Sequence, residues 1–456
     1  MRRISRYCLK DEEAIKQLSA LLHYVFPGAE TLGLENNEVL ELWMASKEQQ
    51  RGIPRVLWND VKKTVVAFLF SKKEEQIPHV GVTVRPLQEP KELDLKFANC
   101  LVRVLNEDIL TLNEAPYHSE LWDSLRQTQF RRAIARFSAF STVSMVRWMQ
   151  IMENSTSLRY EGYPFSVCVY ITKQRKWLVE PLGSAFVQFS TPIPFNRAVL
   201  SEKWIRSAAS ELRVGLVGVG HSGRVVGMIA IPRSTPNTDI MSFAPHEDLL
   251  GICNLIRPGT MVFVTSIHSD VYTILANGAV FHKSQNRWRY LNYEATHDLL
   301  ASRMDPTIAS SILKTTLDLS YERRGALICV TKEPESVPKF VPDYSRKGRA
   351  NEALRKAVKG LQICEQNHRK IIASAATVDG ALIIDEGGYV LDVACMVCDP
   401  PLEDLESVEQ NQLRRMEGAR STAAWNASIY GIAIKVSEDG PVTIFERGKL
   451  IGRLGG

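Results

Sequence analysis

Three short stretches near the C-terminus carry residue types suited to one kind of chemistry. "VDGALII" places Asp379 at the mouth of an apolar strand, followed by Gly380 and Ala381. A carboxylate there can hold a divalent cation, and small residues after it let a flat ring approach the backbone. The same trio is commonly just a turn. "EGARSTAAWNAS" puts Gly418 and Ala419 ahead of a small-residue helix. A glycine lets an anion come close, the open N–H groups of a first helical turn face it, and Arg420 adds a planar, permanently charged donor. Ser421 or Thr422 is expected to cap that helix. "VSEDG" ends a strand with Ser437, Glu438 and Asp439, ordinary hairpin chemistry when taken alone. Together, an acid, a phosphate cradle with an arginine, and a second acid are the set needed for metal-assisted chemistry on a nucleoside triphosphate.

Other candidate motifs fall short. "GVGHSG", Gly218 to Gly223, matches GxGxxG, but "RVVGMIAIP" follows, which is β-branched and closed by Pro232. That is a strand, whereas a dinucleotide site needs a helix there, so the motif reads as a hairpin turn. Eight cysteines dispersed along 456 residues argue for reduced thiols. Cys395 and Cys398 make a CxxC pair, but it sits in a strand-like run without a second pair nearby, and they read as core cysteines. The histidines of "APHED" and "IHSDV" read as surface or satisfied core residues. HExxH, GxSxG and GxxxxGK[ST] do not occur.

These pieces need elements to hold them. A length of 456 residues suggests two or three domains. A net charge of +5 is mild and fits an anionic small molecule without demanding nucleic acid. The start "MRRISRYCLKDEEAIKQ" lacks a secretory-type apolar core, and no window approaches the ~18 apolar residues of a membrane span. A cytoplasmic protein without a membrane partner is expected.

Residues 1–150 mix helices and strands, as an α+β region with a possible sensing role. "DEEAIKQLSALLHYVF" spaces Ile15, Leu18, Leu21, Leu22 and Val25 as a helix, and "NNEVLELWMASKEQQ" reads as another. A helix through "LRQTQFRRAIARF" would carry Arg126, Arg131, Arg132 and Arg136 on a solvated face. Residues 151–300 are strand-rich, an α+β regulatory module with a turn at Asn277-Gly278. Residues 301–456 alternate helix and strand, which predicts a compact α/β domain. Asp305 is the expected N-cap with Pro306 at the first helical position, and Ile308, Ile312, Leu313 and Leu317 line one face. A second helix is expected to present Leu361, Cys364, Ile371 and Ala375.

The three stretches, in this order, resemble the diadenylate cyclase domain of bacterial cyclic di-AMP synthases. That family carries a DGA motif, a glycine–x–RHR motif and a serine–glutamate–glutamate hairpin, here "DGA" at Asp379–Ala381, "GARST" at Gly418–Thr422 and "SED" at Ser437–Asp439. "YERRGALICV" resembles the family's first helix-to-strand step. The resemblance covers about Asp305 to Gly456 and implies a mixed central sheet flanked by helices. It implies Asp379 and Glu438 as ligands of Mg2+ or Mn2+, with Asp379 near the nucleophilic 3′-hydroxyl. It implies Gly380, Ala381 and Leu382 around the adenine, and Gly418, Ala419, Arg420, Ser421 and Thr422, with Ser437 nearby, around the triphosphate. The implied reaction joins two ATP molecules into cyclic di-AMP or a related dinucleotide, in a homodimer or higher oligomer, under control of an N-terminal region with an unidentified ligand.

This chain departs from the family pattern at Ser421 and Thr422, which stand where a histidine and a second arginine are usual. Asp439 replaces the last glutamate. Arg414, Arg415 or Lys435 could supply the missing positive charge. The alternative expectation is a degenerate domain that binds a nucleotide without turning it over.

Overall fold

The structure is a computed structural model describing residues 11–32, 55–70, 80–114, 119–164, 166–173, 185–209, 212–232, 244–342, 344 and 350–455. The helix expected at "NNEVLELWMASKEQQ" lies outside the described residues. The fold is mixed α and β, divided into two compact units.

The first unit comprises Met1–Met241 and Leu250–Leu291. Its opening helix, Asp11–Val25, buries Ala14, Leu18, Leu21, Leu22 and Val25, while Ile15 turns outward at 40% exposure. A four-stranded antiparallel sheet orders Glu30–Leu32, Val80–Arg85, Thr64–Leu69 and Val56–Asn59. An eight-stranded sheet includes the expected meander from Thr260 to Leu291. Residues on both sides of position 150 share one hydrophobic core. Val65, Val84 and Phe97 pack with Phe263 and Phe281, the rings of Phe97 and Phe281 lie 4.6 Å apart, and helix Thr142–Ser155 runs through the boundary drawn from sequence.

Two features of this unit differ from the sequence expectation or explain a motif. Arg131 clamps Glu153 at 2.7 and 2.6 Å, Arg132 clamps Asp108 at 2.6 and 2.7 Å, and Arg136 meets Glu107 at 2.9 Å. These arginines therefore tie helices together instead of forming a solvated face. "GVGHSG" is the hairpin between strands Val214–Val219 and Arg224–Ala230. Its Gly218 leaves room for the Trp148 indole, which donates to the Gly220 carbonyl at 3.3 Å.

The second unit comprises Ser242–Leu249 and Asn292–Gly456. Its strands are β1 (Ala326–Thr331), β2 (Ala381–Asp385), β3 (Val390–Cys395), β4 (Gly431–Val436), β5 (Val442–Glu446) and β6 (Lys449–Leu454). They form one sheet in the order β3-β2-β1-β4-β5-β6. Its main helices are α1 (Tyr293–Ala301), α2 (Pro306–Tyr321), α3 (Glu352–Val358), α4 (Gln366–Ala376), α5 (Leu402–Ser407) and α6 (Ala419–Ala427). The Asp305 carboxylate accepts from the Thr307 N–H at 2.8 Å and starts α2 as expected, with Pro306 at the first position. Ile308, Ile312, Leu313 and Leu317 are buried on it.

Helix α4 begins later than the sequence suggests and turns a different face inward. Leu361 and Ile363 are tied to β3 and its turn, where Val390 donates to the Leu361 carbonyl and Ile363 to that of Gly388, both at 2.9 Å. The helix can start only beyond them, so it buries Ile372, Ala375 and Ala376 and leaves Ile371 51% exposed.

The sheet topology decides where the site forms. β1 and β2 run parallel, with Ile328 opposite Leu382. β1 and β4 run antiparallel, with Ala326 opposite Val436. The starts of β1 and β2 and the end of β4 therefore share one end of the sheet. One sheet face buries Leu327, Cys329, Ala381, Ile383 and Ala433 against Trp425 of α6. The Trp425 indole donates to the Gly448 carbonyl at 2.8 Å, which fixes the helix over the sheet.

Candidate functional site

Gly380 makes the turn into β2. Its φ is +110°, and an added Cβ would lie 2.6 Å from the Ala394 carbonyl carbon and 2.7 Å from the Cys395 nitrogen. The lack of a side chain is required on both grounds. The pairing of β2 with β3 slips here: Ala381 faces Cys395, but Ile383 faces Asp392. Ala394, the residue in the slip, has φ +53°. Arg355 of α3 braces that bulge. Its Nη1 reaches both Asp392 carboxylate oxygens, at 2.7 and 2.8 Å, and its Nη2 donates to the Ala394 carbonyl. No local sequence signal marks Arg355, because its partners lie some forty positions away.

Asp379 stands exposed just before this turn. Ala381 and Leu382 are fully buried, so the surface beside Asp379 is Gly380 backbone and not their side chains.

At the start of β1, the Arg420 guanidinium lies over Gly325. A Cβ on Gly325 would collide with Arg420 Nη1 and come within 2.8 Å of Cζ and 3.0 Å of Glu438 Cγ. Arg420 Nη1 meets Glu438 Oε1 at 3.3 Å. The two charged residues singled out from separate motifs are thus joined, and Gly325 is the seat on which they meet.

The α6 N-terminus differs from the expectation. Gly418, with φ +88°, is the N-cap and makes no side-chain cap bond. A glycine in that conformation turns the chain into the helix by itself. Ser421 and Thr422 lie one turn further on. The Thr422 hydroxyl bonds back to Met416, accepting from its N–H at 3.1 Å and donating to its carbonyl at 3.2 Å. The Ser421 hydroxyl accepts from Lys435 Nζ at 2.8 Å. Of the three cations considered as replacements for the second arginine, Arg415 pairs with Asp399 at 2.8 Å, Arg414 is exposed, and Lys435 reaches α6. Ser437 is half-buried at the end of β4, its N–H donating to Pro441 at 2.9 Å.

Mg2+ and Mn2+ take hard oxygen ligands, and such an ion is often held by one or two carboxylates completed by phosphates and water. Asp379 and Glu438 are exposed carboxylates at this end of the sheet, which fits that mode. Among the described residues, no group of three or more His, Cys, Asp and Glu side chains gathers as a protein-only cage. Cys395 is buried in the core as expected, but Cys398 is only half-buried and donates to the Lys339 carbonyl at 3.4 Å, because the strand ends at Cys395 and the chain turns outward.

A second charged cluster was not anticipated. The Glu247 N–H donates to Asp318 Oδ1 at 3.0 Å, and Lys370 meets Glu247 at 2.7 Å. His246, read as a surface or core histidine, stacks on Tyr321 with centroids 4.6 Å apart. Its ring nitrogens lie 3.4 Å from Asp248 and 3.4 Å from Glu322. Burial opposes its charge, but the bonds to Asp248 and Glu322 and the charge of Asp318 outweigh that and lift its pKa to about 9. Burial raises Asp318 to about 6. Glu322 in turn holds Arg324 at 3.1 Å, and Arg324 donates to the Thr377 hydroxyl at 2.8 Å, two residues before Asp379.

No protein-family model and no curated protein matches the chain. One solved structure, described as a hypothetical membrane spanning protein from Bacillus cereus, is 18% identical with a TM-score of 0.24, over 34% of this chain and 67% of that one. In this chain, no helix among the described residues is long and apolar enough to cross a membrane.

Proposed function

We propose that the second unit is a nucleotidyltransferase that condenses two ATP molecules into cyclic di-AMP or a related cyclic dinucleotide. The observation that carries this reading is the meeting of Arg420 and Glu438 over Gly325, at the end of the sheet where the Gly380 turn presents Asp379. The three stretches of the family resemblance lie at the same end of the sheet.

In this reading Arg420 binds the triphosphate, and the backbone of the Gly380 turn lies beside the adenine. Asp379 and Glu438 hold Mg2+ or Mn2+; the ion, when bound, lowers the pKa of a 3′-hydroxyl and offsets phosphate charge. Asp379 lies near that hydroxyl and orients it by accepting its hydrogen bond. The 3′-oxygen of each ATP attacks the α-phosphorus of the other, and pyrophosphate leaves each time. Because one domain holds one ATP, two domains must face each other in a homodimer or higher oligomer. The first unit acts as the regulatory part and carries its own ligand.

A second reading, a domain that binds ATP without turnover, is favoured by one feature. The Arg420–Glu438 pair neutralises two of the charges the reaction needs, and Ser421 and Thr422 stand in for a histidine and an arginine. Incubating the purified chain with ATP and Mn2+ or Mg2+ and weighing the products by mass spectrometry separates the two. A cyclic dinucleotide that disappears in Asp379→Ala supports the enzyme. ATP affinity by calorimetry with no product supports the binding module.

A further inference from the structure

Resting on the nucleotide reading above, we infer that Lys435 is the second phosphate-binding cation of this site, held ready by Ser421, and that Arg453 extends the same track outward. Ser421 is too short to bind phosphate at range and carries no charge, yet Lys435 Nζ is 2.8 Å from its Oγ. The charge that the helix lacks therefore arrives from the sheet. Strand register fixes the direction: Lys435 lies opposite Thr443, and Thr443 lies opposite Arg453. Directly opposed residues point to the same face, so Lys435 and Arg453 share one face two strand spacings apart, roughly 10 Å. That face is the one covered by α6, because Ala433, two residues from Lys435, packs with Trp425.

The ammonium meets a neutral hydroxyl and, among the described residues, has no ion-pair partner. Burial lowers its pKa; Asp439 counters this, and the positive charges of Arg453 and Arg420 add to the lowering. With Arg420 already paired to Glu438, the positive charge that Lys435 and Arg453 place on this face draws a further anion. A row of this kind suits a polyphosphate tail better than a single phosphate, which assigns the site to nucleoside triphosphates over monophosphates.

Calorimetric titration of the full chain with ATP, inorganic tripolyphosphate and adenosine tests this. Lys435→Gln is expected to weaken ATP and tripolyphosphate about tenfold or more and to leave adenosine unchanged. Lys435→Arg should restore most of that affinity, and Ser421→Ala should cost about threefold. Matching melting temperatures show that each variant is folded; if Lys435→Gln is not, Ser421→Ala decides, and wild-type affinity in it overturns the inference. Wild-type affinity for both phosphates in folded Lys435→Gln overturns the inference and leaves the nucleotide reading standing. A wild-type chain that binds tripolyphosphate but not ATP removes that reading, and loss of tripolyphosphate in Lys435→Gln then still supports the anion track. A wild-type chain that binds neither overturns both.

Discussion

Replacing His246 by glutamine should cost stability in a way that depends on pH. His246 is 6% exposed and is faced by Asp248 from its own segment, Asp318 from α2 and Glu322 beyond the end of α2, with Glu247, Arg369, Lys370 and Arg324 in the surrounding network. An ordinary imidazole titrates near 6.5 and this one at about 9, so its proton contributes about 3 kcal/mol of folding free energy when fully bound. The folded-state pKa is raised, so the contribution is complete below the unfolded value of 6.5 and is lost as pH rises through about 9. At pH 7 about 2.5 kcal/mol remains, and at pH 10 almost none. Urea unfolding of the wild type and His246→Gln at both pH values reads this directly. The stability gap between the two proteins should shrink by about 2.5 kcal/mol from pH 7 to pH 10. Taking the difference removes the cysteines, tyrosines and lysines that titrate in both. An NMR titration of the ring should show a midpoint near 9. A gap that does not change with pH, or a midpoint near 6.5, would refute the reasoning.

Other substitutions probe the scaffold of the site. Gly380→Ala should lower stability by at least about 2 kcal/mol, since φ is +110° and the backbone of Ala394 and Cys395 blocks the new methyl; a urea midpoint within error of wild type would contradict this. Arg355→Met removes the guanidinium that meets the Asp392 carboxylate, 9% exposed, and should cost about 3–5 kcal/mol by the same measurement. Gly325→Ala meets the flexible tip of Arg420 and not backbone. It should change stability by less than about 1 kcal/mol while weakening ATP binding by calorimetry, because Arg420 must leave its seat.

Some of this architecture was legible in the sequence because its cause is local. The Asp305-Pro306 start of α2 needs only a carboxylate and a residue without an N–H. The hairpins at Asn277-Gly278 and at "VSEDG" announce themselves by turn chemistry and alternating strands. The four buried positions of α2 follow from spacing. What stayed hidden depends on contacts far apart in sequence. Arg355 braces a bulge whose residues pair through the sheet, and His246 joins a network on α2 and α4. The arginines of helix Ser119–Phe137 looked solvated because their carboxylates sit on other helices. The α6 cap is hidden because a positive-φ glycine can stand in place of a side-chain N-cap, which composition alone does not reveal. Asp379, Arg420 and Glu438 stand out in the sequence only through the order of their three motifs. Gly325, over which Arg420 and Glu438 meet, carries no such signal.

The most direct measurement incubates the full chain with ATP and Mn2+ or Mg2+ and follows both products, the dinucleotide by mass and pyrophosphate by amount. The proposed reaction gives a cyclic dinucleotide with two pyrophosphates released for each one formed, and loses it in an Asp379→Ala chain that remains folded. No cyclic product from a chain that binds ATP, or equal product from the wild type and Asp379→Ala, would contradict it.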